Sequence, residues 1–285
     1  MIDYVFVSDF FVEDYVGGAE LTSEALINSC EGTIQKMRSS NVTIDSINQF
    51  KNSTWIFGNF TNLSQYLLVT IMKSDIEYHV IEYDFKFCQL RSPEKHILLG
   101  NSCKCHEETN GRLISLFFSK SQCMWFMSQL QREEYLKRFS FLRNNNSFVL
   151  SSIFEPSLLQ KIMKVRTKKN NEWIILKSDS WVKGMKDCIT FAKDNDLSYK
   201  LVGGVPHTEM LKILSESKGL IFLPKGGDTC PRLVIEAYLL GCDLELNKNV
   251  MHKDEAWFIK TRDDCMEYLL SRTDFFWNVV RGASR

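Results

Sequence analysis

Two hydrophobic periods alternate along this chain, one suited to strands and one to helices. Tyr4-Val5-Phe6-Val7-Ser8 is a short apolar, β-rich run that predicts a buried strand. A polar loop containing Gly17-Gly18 follows, and over 19–30 the apolar positions Leu21, Ala25 and Leu26 fall at helical spacing. Further strands are predicted at 53–57, 78–83, 112–118 and 147–153, and helices at 62–73 and 121–139. The second half alternates more cleanly, with strands over 172–176, 199–202 and 219–223 and helices over 181–193, 207–217 and 231–240. Strand–helix alternation of this kind predicts parallel sheets, and two doubly wound α/β units in tandem. Pro156 suits the first turn of a helix, which places the boundary at Phe154-Glu155-Pro156. The expected domains are 1–154 and 155–272, followed by a C-terminal helix, 273–285, that packs back on the first domain.

Composition narrows the class. With 285 residues, 44% hydrophobic, 25% charged, 14 Gly and 5 Pro, the chain is neither disordered nor fibrous and is long enough for two cores. The 35 basic residues balance 35 acidic ones, which excludes nucleic-acid binding through bulk charge. Apolar runs such as 66–72 are far shorter than the roughly 20 residues of a spanning helix. The start of the chain has no targeting pattern, so a cytoplasmic protein is expected. Nine cysteines, an odd number in a chain of this size, suit reduced thiols rather than a disulfide framework.

The densest chemistry lies in the run from Leu220 to Cys242, where a predicted strand enters Pro224-Lys225-Gly226-Gly227-Asp228-Thr229-Cys230-Pro231 and then a helix. Thr229 or Cys230 is expected to cap that helix, with Pro231 in its first turn and Gly241 at its stop. Its first amides, at Arg232 and Leu233, would face an anion such as a diphosphate. Glu236, in the apolar row Val234-Ile235 and Ala237-Tyr238, needs a partner or an aqueous cleft.

This segment resembles the donor-binding motif of family 4 retaining glycosyltransferases. The resemblance implies the GT-B fold, two Rossmann-like domains facing each other across a cleft, and a UDP-linked nucleotide-sugar donor as substrate with no separate cofactor. The family's two carboxylates, separated by seven intervening residues, match Asp228 and Glu236, the first being Asp where the family usually has Glu. By resemblance Asp228 contacts the donor sugar and Glu236 the ribose. Gly17-Gly18-Ala19-Glu20 is similar to the family's N-terminal glycine loop against the sugar and diphosphate. Trp181-Val182-Lys183-Gly184 resembles its Lys-Gly element, which assigns the leaving diphosphate to Lys183. The partner arginine five positions earlier is replaced by Ser178, beside Lys177. Asp84, after the run Tyr78 to Tyr83, matches the acceptor-side carboxylate and would orient or deprotonate a hydroxyl.

Cys103-Lys104-Cys105-His106, with Cys88 upstream, contains metal-ligand types but lacks paired zinc spacing, so no metal is expected there. None is needed at the diphosphate either, where helix amides and basic side chains stand in for a cation. Arg132, Lys137, Arg138, Arg143, Lys161, Lys164, Arg166, Lys168 and Lys169 form a basic region suited to a polyanionic acceptor, DNA included. The expectation is therefore a metal-independent retaining hexosyl- or pentosyltransferase. Its alternatives are a phage-type enzyme that transfers glucose or arabinose to hydroxymethylcytosine in DNA, and a non-catalytic nucleotide-sugar-binding protein.

Overall fold

The computed structural model describes residues 2–100 and 102–282, so the last three positions of the expected C-terminal helix lie outside the described residues. The chain forms two compact units, one running from the N-terminus to Phe154 and joined by the segment from Ser271 onward, the other Glu155–Leu270. In the first unit β1 (Tyr4–Ser8), β2 (Ile34–Arg38), β3 (Thr54–Phe57), β4 (Tyr78–Glu82), β5 (Cys123–Phe126) and β6 (Ser147–Val149) pair in the order β2-β1-β3-β4-β5-β6. In the second, β7 (Trp173–Leu176), β8 (Tyr199–Val202), β9 (Gly219–Phe222) and β10 (Asp243–Leu246) pair in the order β10-β9-β7-β8. Every pairing is parallel.

Parallel sheets are covered on both faces, so their central strands are apolar without alternation. Val5, Phe6, Val7, Trp55, Ile56, Phe57, Val80 and Ile81 are all fully buried. That property also explains the misplaced elements. The predicted strand 112–118 is part of a helix, Thr109–Ser119, which buries Ile114, Phe117 and Phe118 on one face and exposes Leu116 on the other. The predicted helix 121–139 is β5 followed by the helix Gln129–Arg138. Cys123-Met124-Trp125-Phe126 is a buried central strand, and a short continuous apolar run of this kind carries no period to separate strand from helix. Strands β2 and β10 have no counterpart among the predicted elements, since both lie at sheet edges and interleave polar residues such as Lys36 and Glu245.

The final helix begins earlier than expected, spanning Arg262–Val280 rather than starting at 273. In its later part the Trp277 indole N–H donates to the Leu26 carbonyl at 3.1 Å and the ring meets Tyr4 edge-on at 4.9 Å. Arg272 donates to the Val149 carbonyl at 2.5 Å. This segment is thereby part of the first unit's core.

Candidate functional site

In an open parallel sheet the ligand crevice lies beyond the C-terminal strand ends, where neighbouring strands send their connections in opposite directions. In the second unit that point falls between β7 and β9. The loop after β7 makes a single tight turn, Trp181–Lys183, and ends in Gly184 at φ 64°, the left-handed region. A Cβ at Gly184 would lie 2.0 Å from the Leu223 carbonyl oxygen, so only glycine allows this loop to touch the end of β9. The Lys225 amide then donates to the Val182 carbonyl at 2.9 Å and stitches the two loops together.

This stitching brings together two of the expected residues. Lys183 Nζ lies 2.7 Å from Asp228 Oδ2 and 5.6 Å from the centroid of the Phe222 ring. Asp228 is anchored through its main chain, donating to the Asn249 carbonyl at 2.8 Å and accepting from the Met251 amide at 3.0 Å. Asn247 and Asn249 side-chain amides both donate to the Pro224 carbonyl, at 2.9 and 2.7 Å. The glycine loop is therefore held from both sides. Of the other expected clamp positions, Ser178 accepts from the Ser180 amide at 3.2 Å, and Lys177 is exposed.

The helix that follows is Arg232–Leu239, with Pro231 at its N-cap and no side-chain cap. The expected capping by Thr229 or Cys230 is corrected: extended Pro231 (φ −65°, ψ 114°) is already the boundary residue, and both lie one or two places too early. Val234 and Ile235 amides return to the Pro231 carbonyl at 3.1 and 3.5 Å, so Arg232 and Leu233 precede the helical ladder, the geometry that presents amides to anions.

Glu236 is one turn further in and 2% exposed. Its Oε1 pairs with His207 Nε2 at 2.8 Å and lies 3.8 Å from Arg232 Nε. The partner that its apolar row requires is thus His207, the first residue of the helix His207–Glu216. It is 29 positions away, and no local pattern pointed to it.

The first unit has its own strand-end cluster, between β1 and β3. Asp9, absent from the sequence reading, directly follows β1 and accepts from Ser39 Oγ at 2.5 Å, Thr61 Oγ1 at 2.6 Å, and the Thr61 and Asn62 amides at 3.0 and 3.3 Å. Burial raises its carboxyl, but these donors outweigh burial and hold it below the ordinary range. Arg91, also missed, ties the cluster together: it donates to Thr61 Oγ1 at 2.6 Å, Asn59 Oδ1 at 2.9 Å and Asp84 Oδ2 at 2.7 Å. Asp84 Oδ1 is buried without a hydrogen-bond partner. In this arrangement Asp84 holds the Arg91 loop rather than presenting a free base. Gly17 is the extended N-cap of the helix Gly18–Asn28, and a Cβ there would meet only the Glu20 and Tyr15 side chains.

Several residues of the expected basic region are engaged locally. Arg138 pairs with Glu134, Arg132 donates to Ser147 Oγ, and Lys169 donates to the Leu214 carbonyl. A depression of about 510 Å³, lined by Arg166, Lys169, Gly241 and Arg262 among others, borders the C-terminal end of the Arg232–Leu239 helix, the end opposite Asp228.

No family model and no curated protein matches the chain. Solved structures do. Anabaena Alr3699/HepE in complex with UDP and glucose superposes with a TM-score of 0.56 at 11% identity, covering 97% of this chain and 90% of that one. The E. coli trehalose-6-phosphate structure bound with UDP-2-fluoro glucose gives 0.56 at 11% identity, over 98% and 95%. A Methanocaldococcus jannaschii UDP-GlcNAc 2-epimerase in complex with UDP-GlcNAc and UDP gives 0.51 at 9%, over 96% and 92%. These likenesses establish the fold: two tandem Rossmann-like units of the GT-B class.

Proposed function

We propose that the chain is a glycosyltransferase that moves a sugar from a UDP-linked donor to an acceptor hydroxyl with retention. The observation that carries this reading is the convergence of Lys183, Asp228 and the first turn of the Arg232–Leu239 helix at the β7/β9 strand ends, with Glu236 one turn beyond. Three structural neighbours of the same fold hold UDP or a UDP-sugar, which supports a UDP-linked donor.

As the bond between the sugar C1 and the diphosphate oxygen breaks, negative charge gathers on the departing phosphate. Lys183 and the Arg232 and Leu233 amides are placed to receive it, which lowers the barrier where charge develops. Asp228 holds Lys183 in place before the donor arrives and then positions the sugar hydroxyls. Glu236, oriented by His207, takes the ribose hydroxyls. Gly17-Gly18 and Asp84 are assigned to the sugar and the acceptor, with Arg91 setting the Asp84 carboxylate. Charge at the diphosphate is met by protein groups, so this reading places no cation there.

Incubation with a panel of UDP-sugars and acceptors tests the proposal. Expected are UDP release and a product whose anomeric configuration, read by NMR, matches the donor. An inverted product contradicts retention. Tight UDP-sugar binding with no release of UDP over the whole panel instead favours a non-catalytic binding protein, and interconversion of the free donor's epimers favours the chemistry of the third neighbour.

A further inference from the structure

In the first unit, away from the β1/β3 cluster, one ligand atom from each of Cys88, His96, Cys103 and Cys105 falls within 4.8 Å of all the others. Cys88 lies in the loop after β4, His96 on the helix Pro93–Leu98, and Cys105 at the head of the turn Cys105–Glu107. The two sulfurs of Cys88 and Cys103 are 3.6 Å apart, and His96 Nδ1 lies 3.6 Å from Cys88 Sγ and 3.3 Å from Cys105 Sγ. A tetrahedral zinc with Zn–S of about 2.3 Å and Zn–N of about 2.0–2.1 Å has S···S edges near 3.8 Å and S···N edges near 3.6 Å. The three separations match those edges to within about 0.3 Å.

We propose that Cys88, His96, Cys103 and Cys105 bind one zinc ion as a closed Cys3His site. Three thiolates and an imidazole suit zinc, and four protein ligands leave no open position, so the ion is structural and separate from the transfer chemistry. Loading replaces the three thiol protons with Zn(II) and leaves the site with one net negative charge. Gly111 lets the helix Thr109–Ser119 press onto the Cys105 turn, since a Cβ there would lie 2.0 Å from the Cys105 carbonyl oxygen.

The proposed site departs from the expectation of no metal, because the fold gathers ligands that the spacing keeps apart. His106, adjacent to Cys105, turns away, its Nε2 3.5 Å from Glu107 and its ring edge-on to Phe139. The imidazole comes instead from His96, at a spacing that no paired motif contains. The loop that the ion would close carries Arg91, at φ 56°, whose guanidinium reaches Asp84, Thr61 and Asn59. Zinc would therefore fix the residue that sets Asp84.

The test is the metal content of the full chain, purified under reducing conditions without chelators. One zinc per chain is expected, retained by His106→Ala and lost in Cys103→Ser and His96→Ala. Because those two variants risk misfolding, cobalt(II) titration of the metal-stripped wild type is the second readout: a tetrahedral visible spectrum with thiolate charge transfer is expected at one equivalent. Metal-free wild type with no such cobalt spectrum overturns the proposal, as does full zinc retention by His96→Ala.

Discussion

At the scale of single residues, two buried groups give the fold a pH signature. His252 is fully buried, stacked on Trp257 and edge-on to Phe258, with neither ring nitrogen hydrogen-bonded, and burial pushes it down to about 3. As pH falls, the unfolded chain takes up this proton first, so the contribution is intact above about pH 6.5 and is lost as pH falls toward 3. At pH 5 the loss is about 2 kcal/mol. His252→Phe cannot titrate, so its stability relative to wild type should improve by about that amount between pH 7 and pH 5 in urea unfolding; a pH-independent difference contradicts this account. The second group is Glu82, at the end of β4, buried with Lys86 at 3.2 Å and accepting from Tyr135 at 2.6 Å. Burial pushes its carboxyl up to about 7 against the pull of Lys86. Glu82→Gln strands a buried ammonium and should cost about 3–5 kcal/mol, while adding Lys86→Met should recover most of it. Equal stability of the single variant and wild type contradicts the pairing.

At the scale of elements, the two glycine loops differ in kind. Gly184 is required by its left-handed backbone and by the Leu223 carbonyl, so Gly184→Ala should destabilise the second unit by about 2–4 kcal/mol and displace Lys183. Gly17 has an extended backbone and only flexible side chains nearby, so Gly17→Ala should stay within about 1 kcal/mol of wild type. Thermal unfolding of the two variants checks the contrast, and similar losses would refute it. The sequence made the second unit legible because its strands are bracketed by turns and its helices are amphipathic: predicted and observed ends of β8 coincide, and those of β7 and β9 agree within a residue. It failed at 112–139 because a helix rich in apolar residues and a buried strand have the same composition, and only pairing with β4 and β6 decides which is which. Likewise Lys183, Asp228 and Glu236 were singled out through the resemblance to the donor-binding motif, and the fold sets Lys183 against Asp228, whereas no pattern in the chain pointed to His207, Arg91 or His96. Each acts on a group far away in sequence or at an unpatterned distance, so its role exists only once the sheets have formed.

At the scale of the whole molecule, zero net charge conceals an uneven distribution of work. Basic side chains that looked like a surface for a polyanion are partly spent on local bonds, as with Arg138 and Lys169, whereas Lys183 stands at a strand-end crevice with an acidic partner. The fold places two such crevices on one chain, one at β1/β3 ringed by Asp9, Arg91 and Asp84, the other at β7/β9 ringed by Lys183, Asp228 and Glu236. The central claim is that the second is the seat of a UDP-linked donor. Calorimetric titration of UDP into the wild type and Glu236→Gln tests it most directly. One UDP per chain should bind the wild type, with affinity at least about tenfold weaker in the variant, the effect of losing about 1.4 kcal/mol from a charge-assisted hydrogen bond. No binding to the wild type, or equal affinity in both proteins, would contradict the account.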